Sequence, residues 1–589
     1  MTNFSVTTFP TLTCPPLLAT NPMVEKLQYL YPEMVLFAAT VVVMIIGLSP
    51  NRALRRSCAW ISGISLVIAG VLAALHTPSM PSSPFPAFMP FAKVMIAAVG
   101  VLLVMVLAGT VDRGFEKELD EGKPFDALRA NRAEFYAFFL FSLTGLMLCT
   151  GADDLIWIFL ALELTSLPTY VMVSISTARA RSMEAGVKYF FLGALGAATF
   201  LYGFALLYGA TGTTALFGTA TDPGIAQILS AQIAGGGLST LAMLGLVISI
   251  IGVSFKIAAV PMHFYTPDVY QGSSASVAAF LAFVPKAAGF IVLMLLLSCV
   301  GWGAAAGGEG QAAGLPDTLR ILLWVMAALT MTVGNVLAVL QSNVKRMLAY
   351  SSIAHSGYML VGLLVGPGAA AAVGATTDES GLAANGLAAM LFYLMCYGFM
   401  NLGAFAVLAC LENARTGEEI EDVDDLRGLF KTHPVLACVM VLCALSLLGF
   451  PILLGFVGKL YLFTSAISAS ELLLVIVMGL NSAIGAFYYL RLVFTPFLAD
   501  AEGGDEPPRA CPYSARGFAA AFSAASVIAL VFPSANLMRR CNDATRFTPP
   551  IPAGKPTAQS IPSDENSPAA KAAKILESTQ VADPVAQSR

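Results

Sequence analysis

Charge is scarce in this chain. Of its 589 residues only 12% are Asp, Glu, Lys or Arg, and 57% are hydrophobic, whereas soluble domains carry about 25% charged residues. A row of soluble domains, which the length alone would suggest, is excluded. The formal net charge of -4 says little, because the charges sit almost entirely in loops and tails, and no nucleic-acid partner is expected. Cysteine is equally uninformative: the ten are scattered, mostly within apolar runs, and no pair has CxxC spacing. That argues against a metal site, an iron–sulfur cluster or a disulfide framework. A GxGxxG turn after a strand is missing as well, so no cofactor is expected in this chain. The first ~28 residues are polar and proline-containing, with neither a basic start nor a short apolar core, and no cleavable signal peptide is expected.

What is present is a series of long apolar runs. An α-helix needs roughly 20 residues to cross about 30 Å of hydrocarbon. About fourteen such spans fall near 31–49, 57–75, 90–109, 134–150, 154–176, 185–208, 238–264, 275–298, 317–341, 348–366, 386–411, 434–465, 471–497 and 515–535. They are hydrophobic all round, as burial in lipid and among helices requires. The reading is an all-α polytopic membrane protein.

Basic residues cluster in alternate loops: Arg52, Arg55 and Arg56; Arg113, Lys117, Lys123, Arg129 and Arg132; Arg179 and Arg181; Lys345 and Arg346; Arg415, Arg427 and Lys431. The intervening loops, including 209–237, have almost none. By the positive-inside rule the basic loops are cytoplasmic and both termini face outside. Arg539, Arg540 and Arg546 lie on the other side, in a tail where charge carries little topological weight. The organisation expected is an N-terminal extension (1–30), three helices and a cytoplasmic loop (31–133), two five-helix units (134–298 and 317–497), a last helix (515–535) and a Pro/Ala/Ser-rich disordered tail (536–589).

Against this background a few ionisable residues stand in the wrong solvent. One at mid-membrane costs at least ~2.5–3.5 kcal/mol and marks function by default. Glu163 is central in the fifth span ("FLALELTSLPTY"), and Lys188 lies near the inner end of the sixth ("EAGVKYFF"). Lys256 belongs to the seventh, Lys286 to the middle of the eighth ("AFVPKAAGF") and Lys459 to the twelfth ("GFVGKLYLF"). His355 lies in the tenth ("SSIAHSGY"), and His263 just follows Pro261. Structural readings stand beside the functional ones. Lys188 could reach the inner surface along its own stem, Glu163 could form a fixed ion pair, and either histidine could be a satisfied core residue. Lys345 and Arg346 read as inner-surface anchors. Lys256, Lys286 and Lys459 fit such readings least, because three lysines cannot all be neutralised by one Glu163. Burial disfavours an ammonium and a nearby carboxylate favours it, so a lysine held between the two can take up or release a proton when its partner moves. With histidines and water, such groups make a proton relay. A pore for a large solute would need a wider polar lining, which is not found.

Two prolines accompany the lysines. Pro261 follows Lys256 by five residues, and Pro451 precedes Lys459 by eight. Each removes a helix hydrogen bond, so both spans are expected to break there, with the irregular backbone buried or lining a watery cavity. The seventh and twelfth spans are five apart, an odd offset that sets them in opposite directions. This is the pattern of inverted repeats with broken helices, here spans four to eight and nine to thirteen.

The segments "GVSFKIAAVPMHFYTPDVYQGSSASVAAFLAFVPK", "QSNVKRMLAYSSIAHSGYMLVGLL" and "GFPILLGFVGKLYLF", with "LALELTSLP" and "SMEAGVKYF", closely resemble the antiporter-like membrane subunits of proton-pumping NADH–quinone oxidoreductase, respiratory complex I, and within them the subunit N family. The resemblance covers roughly spans four to thirteen. It implies fourteen helices in inverted repeats. Glu163 and Lys256 become the coupled pair of a first half-channel, and Lys188 its modulator or entrance group. Lys286 becomes the central connecting lysine, Lys459 the ionisable group of a second half-channel, and His355 and His263 polar positions on the axis. "TPDVYQGSS" and a lysine at 459, where the M-type sister has glutamate, favour the N type; no apolar run follows for the lateral helix of the L type. The extension, the loops near 209–237 and 367–385 and the tail depart from the family by being enlarged.

The resemblance further implies a bacterial inner-membrane location, other membrane-arm subunits of complex I as partners, and NADH, FMN, iron–sulfur clusters and quinone held by other subunits. The function expected is proton translocation driven by redox chemistry elsewhere, with Lys256 as switchable carrier, Pro261 opening the helix and His263 extending the polar path inward. The alternatives are a cation/proton antiporter, and a structural subunit with inert charges.

Overall fold

A computed structural model describes residues 27–548, apart from 79, 81–82, 178, 219–221, 303–314, 369–383, 414–417, 499–507 and 512–513. The N-terminal extension up to 26 therefore lies outside the described residues. The fold is all-helical: α1 (Tyr31–Gly47), α2 (Arg52–His76), α3 (Phe88–Leu107), α4 (Arg113–Asp120), α5 (Arg132–Thr150), α6 (Leu155–Ile175), α7 (Ala180–Thr211), α8 (Ile225–Ala234), α9 (Thr240–Ser254), α10 (Thr266–Gly272), α11 (Ala275–Val300), α12 (Asp317–Val339), α13 (Val344–Val365), α14 (Gly386–Cys410), α15 (Leu429–Thr432), α16 (Pro434–Leu448), α17 (Leu454–Ser468), α18 (Leu472–Leu498), α19 (Ser514–Ala529) and α20 (Ser534–Ala544). Among the described residues ten helices are long and apolar enough to cross a membrane: α2, α3, α5, α6, α7, α11, α12, α13, α14 and α18. The shorter apolar helices include α1, α9, α16 and α17.

Helix starts follow side-chain capping. Asp154, Ser274, Asn343 and Asn385 each accept a hydrogen bond from a first-turn N–H of α6, α11, α13 and α14, satisfying a donor that the helix itself leaves open. These caps place several starts earlier than hydropathy suggests. Arg52, Arg55 and Arg56 fall in the first turns of α2 rather than in a loop, and Lys345 and Arg346 in the first turn of α13.

Every residue of α11 and of α14 is buried, and α13 is nearly so, so these three form the interior. Around them α2, α7 and α18 present apolar outer faces, among them Trp60, Leu75, Phe191, Leu195, Leu480 and Phe487. Such faces are at home against lipid or another membrane protein. On the side of the basic loops a two-residue ladder pairs Leu411–Glu412 with Arg509–Ala510 antiparallel, joining the end of α14 to the approach to α19.

The chain after 536 differs from the disordered tail expected. It begins with α20, which is bent by 91° from α19 and buries Met538, Cys541 and Ala544 along one face. Asn385 at the cap of α14 donates to Asn542 and Thr545. The Pro/Ala/Ser bias belongs to the residues beyond, and 549–589 lie outside the described residues.

Candidate functional site

Two of the apolar runs are broken. Between α9 and α10, residues 255–265 leave the helix, and this stretch contains both Lys256 and Pro261. Between α16 and α17 the gap is 449–453, centred on Pro451. Residues 255–259 of the first break are buried, as expected for irregular backbone, whereas Pro261 and Pro451 themselves are exposed. A reason follows from their chemistry: proline has no N–H to satisfy, so it is the residue that tolerates an outward position on unpaired backbone in an apolar setting. The first break is held by an aromatic pillar. Tyr265 stacks on Phe255 and Tyr189 with centroids 4.3 and 5.0 Å apart, its hydroxyl donates to Phe255 O at 2.9 Å, and Val260 N donates to Thr330 on α12.

This positions Lys256 against α6. Its Nζ lies 2.5 Å from Ser166 Oγ and 3.3 Å from Glu163 Oε1, with the lysine side chain 2% exposed and the glutamate 18%. Close approach from α11 depends on Gly289, where a Cβ would sit 2.6 Å from Ile257 Cγ2 and 3.1 Å from Lys256 Cβ.

Lys286, in the middle of α11, donates to Ile257 O (3.2 Å), Ser352 O (2.8 Å) and Ser356 Oγ (2.7 Å). Three acceptors match the three protons of an ammonium. The Ile257 carbonyl is available because the break releases it from the helical ladder, and Ser356 also donates to it at 2.6 Å. Lys459 is held the same way at the other break. It donates to Leu447 O (3.1 Å), Leu448 O (2.8 Å) and Ser482 Oγ (3.3 Å), the first two being open carbonyls at the C-terminus of α16, where a helix attracts positive charge. Gly449, at φ +90°, makes room there. Among the described residues neither Lys286 nor Lys459 has a carboxylate within salt-bridge distance, so backbone dipoles and hydroxyls take the place of a counter-ion.

Between the two lysines stands α13. His355 shares hydrogen bonds with Tyr393 OH (2.6 Å) and Tyr489 OH (2.8 Å), and Tyr489 OH with Ser351. Tyr397 donates to Ser352 Oγ at 2.7 Å. A small cavity lies between His355 and Lys459, lined by Asn335, Tyr358, Ser482 and Tyr488, and Lys459 Nζ is 5.1 Å above the Tyr358 ring.

Glu163, Lys256, Lys286, His355 and Lys459 are thus brought into one interior line. Among the described residues Lys188 and His263 make no hydrogen-bond contact with it. Lys188 is exposed and pairs with Glu184 (2.8 Å) and Asp268 (3.4 Å). His263 is buried beside Phe264, and its Nδ1 has no hydrogen-bond partner among the described residues. Lys345 differs from a surface anchor: it is buried, donates to Ser273 O at 2.9 Å and lies 3.5 Å from Glu419. Arg346 pairs with Asp268 at 2.6 Å, and Arg179 and Arg181 pair with Glu421. The hydroxyls of Ser166, Ser352, Ser356, Tyr393, Tyr489 and Ser482 were not legible as site residues; their one signal is a recurrence of Ser and Tyr beside the ionisable positions. Among the described residues no group of three or more His, Cys, Asp or Glu is arranged to hold a metal ion.

The sequence matches the family described as NADH:quinone oxidoreductase/Mrp antiporter, transmembrane, over residues 152–485. It is 37% identical over 473 residues to NADH-quinone oxidoreductase subunit N of Trichlorobacter lovleyi, covering 80% of this chain and 87% of that one. To subunit N of Myxococcus xanthus it is 42% identical over 383 residues, covering 63% and 70%. A chain of respiratory complex I from Thermus thermophilus superposes with a TM-score of 0.65 at 29% identity, covering 86% of this chain and 98% of that one. A chain of the Mrp complex from Dietzia shares the fold at 18% identity, with a TM-score of 0.64 and coverage of 89% and 97%. Glu163, both breaks, Lys286, His355 and Lys459 all fall within the matched segment, and the chain belongs to the NADH-quinone oxidoreductase subunit N family of antiporter-like membrane proteins.

Proposed function

We propose that this chain carries protons across the bacterial inner membrane as part of a proton-pumping NADH–quinone oxidoreductase, along Glu163, Lys256, Lys286, His355 and Lys459. The observation that carries the reading is the succession of buried ionisable groups from Glu163 to Lys459, each hydrogen-bonded to a neighbouring hydroxyl, carboxylate or open carbonyl, with two of its lysines lacking a carboxylate partner among the described residues. In this reading Lys256 holds its proton while Glu163 and Ser166 face it. When Glu163 withdraws, the ammonium loses its carboxylate and sheds the proton towards Lys286. Hydroxyls and imidazole both give and accept protons, so Ser356, Ser352 and His355 with Tyr393 and Tyr489 bridge to Lys459.

Lys188 and Asp268 form an entrance on the cytoplasmic side, and His263 a polar group beside the break. Pro261 and Pro451 act as hinges. The chain crosses the membrane fourteen times, with α5–α11 and α12–α18 as inverted repeats and both termini outside. The other membrane-arm subunits are its partners. NADH, FMN, iron–sulfur clusters and quinone are bound by other subunits, whose redox changes reach this chain as shifts in Lys/Glu pairing.

The test is Lys256→Ala in membranes where assembly of the whole complex is verified, recording NADH-driven proton uptake into inverted vesicles beside quinone reduction. Loss of uptake in an intact complex is expected; normal pumping at normal turnover would remove Lys256 from the relay. The family's link to Mrp antiporters favours a second reading, cation/proton exchange, which predicts sodium-dependent proton movement without NADH.

A further inference from the structure

A second acid–lysine pair lies apart from this line, in the first three helices. Glu33 stands in the first turn of α1 and Lys93 in the second turn of α3. Lys93 Nζ is 2.7 Å from Glu33 Oε1 and donates to Tyr29 O at 2.5 Å. The side chains are 5% and 1% exposed. Glu33 Oε2 is buried with no hydrogen-bond partner among the described residues. Both groups line a small cavity with about 30 Å³ of room for water, whose wall includes Tyr29, Met89, Asp153 and Trp157. The cavity lies at the helix ends opposite to Arg52, Arg113 and Arg132, between the start of α3 and the turn joining α5 to α6.

A purely mechanical tie between α1 and α3 does not need two charges. Apolar residues of similar volume hold buried helices at least as well, because removing an ion pair from water is costly. Nor does a tie account for a cavity against the pair, or for a carboxylate oxygen left without a donor. A space of this size has room for about one or two water molecules, and within a mostly apolar wall such water needs two to four polar partners. Glu33 Oε2, the Lys93 ammonium and Asp153 supply them, and they, with Tyr29, are the titratable groups facing the space.

We propose that Glu33 and Lys93 form a proton-exchange site open to the outer side, separate from the line through Glu163 and Lys459. Its ligand is the proton itself, delivered and removed by cavity water. On release, the O–H bond at Glu33 Oε2 breaks and the proton passes to a water molecule to give hydronium. The carboxylate left behind is held by the Lys93 ammonium, which keeps its own three protons. On loading, the same bond re-forms and neutral water is returned.

The test is infrared difference spectroscopy of the assembled complex on a step from about pH 8.5 to about pH 5.5, a window that brackets a carboxylate held in a perturbed setting. Wild-type complex is expected to gain a carboxylic C=O band that is missing in Glu33→Gln and displaced in Glu33→Asp. In Lys93→Met its midpoint should shift by about one pH unit or more. Spectra identical in wild type and Glu33→Gln would overturn the proposal and leave the pair a fixed clamp. If Glu33→Gln fails to assemble, an unshifted band in Glu33→Asp overturns it equally. The measurement needs no turnover, so the site stands independently of the relay. A band that disappears in Lys256→Ala would belong to the Glu163 pair and would also overturn the assignment.

Discussion

Ser166 gives Lys256 the shorter of its two hydrogen bonds, 2.5 Å against 3.3 Å to Glu163, and it does so while donating to Leu162 O at 2.6 Å. The hydroxyl is therefore oriented, with its lone pairs turned to the ammonium. A hydrogen bond to a charged group is worth about 1.5–3 kcal/mol, roughly tenfold or more in the population of the bound geometry. Ser166→Ala is expected to slow NADH-driven proton uptake by about that factor in a fully assembled complex, and Ser166→Thr to restore most of it. An unchanged rate in Ser166→Ala would leave Glu163 as the sole partner that matters. At this scale the charged members of the site were legible and the hydroxyls were not, for a physical reason. A charge in an apolar run is costly enough to demand an account, whereas Ser and Thr can satisfy themselves on a carbonyl one turn back. Thr144 and Ser249 do only that among the described residues, Thr165 likewise bonds Ala161 O, and nothing in the sequence separates Thr165 from Ser166. Lys93 escaped notice because it falls near the end of its span, where a lysine is expected to reach for water.

The breaks are the elements that turn apolar helices into a site. Each exposes carbonyls that a continuous helix would consume: Ile257 O at the first, Leu447 O and Leu448 O at the second. The prolines announced both breaks, but not which lysine each would serve. Lys256 sits in the first break, yet the freed carbonyl holds Lys286 from another helix. Gly449 bears on the second break directly. Its φ is +90°, and a Cβ there would lie 3.0 Å from Lys459 Cδ. Gly449→Ala therefore combines backbone strain of about 1–3 kcal/mol with displacement of the lysine. It is expected to shorten the thermal-inactivation half-life of the complex and to reduce proton uptake together. Gly479→Ala is the control, because α18 has open space at that position. There the exchange gains up to about 1 kcal/mol of helix propensity, and stability should hold or rise with pumping unchanged. Equal loss in both variants would argue against a special role for the second break.

At the scale of the whole molecule, the segment between α14 and α15 ties distant parts together. Glu419 accepts from Ala275 N at the start of α11 and faces Lys345 of α13, while Glu421 pairs with Arg179 and Arg181 beside α7. Because Lys345 is 2% exposed, Glu419→Ala would strand a buried charge, at a cost of about 3–5 kcal/mol. Much less assembled complex is expected in membranes, measured by native gel or by quinone reduction per milligram. Adding Lys345→Met should recover most of it, since the stranded charge is then gone. No recovery in the double variant would show that Glu419 acts through the Ala275 N–H instead. These long-range ties had no counterpart in the sequence, where Lys345 looks like any lysine at the inner end of a span.

The partners of Lys286 also set an order in time. Ile257 precedes it in the chain, but Ser352 and Ser356 follow, Ser356 by 70 residues. At synthesis rates of about 5–20 residues per second, α11 waits roughly 4–14 s with its lysine only one-third satisfied. During that interval nascent α11 resembles a faulty membrane segment to any quality-control protease that surveys unpaired charge in lipid. Truncation just before α13 should therefore yield a short-lived fragment, and truncation just after it a longer-lived one, so the innermost helix of the finished protein is also its most vulnerable during biogenesis.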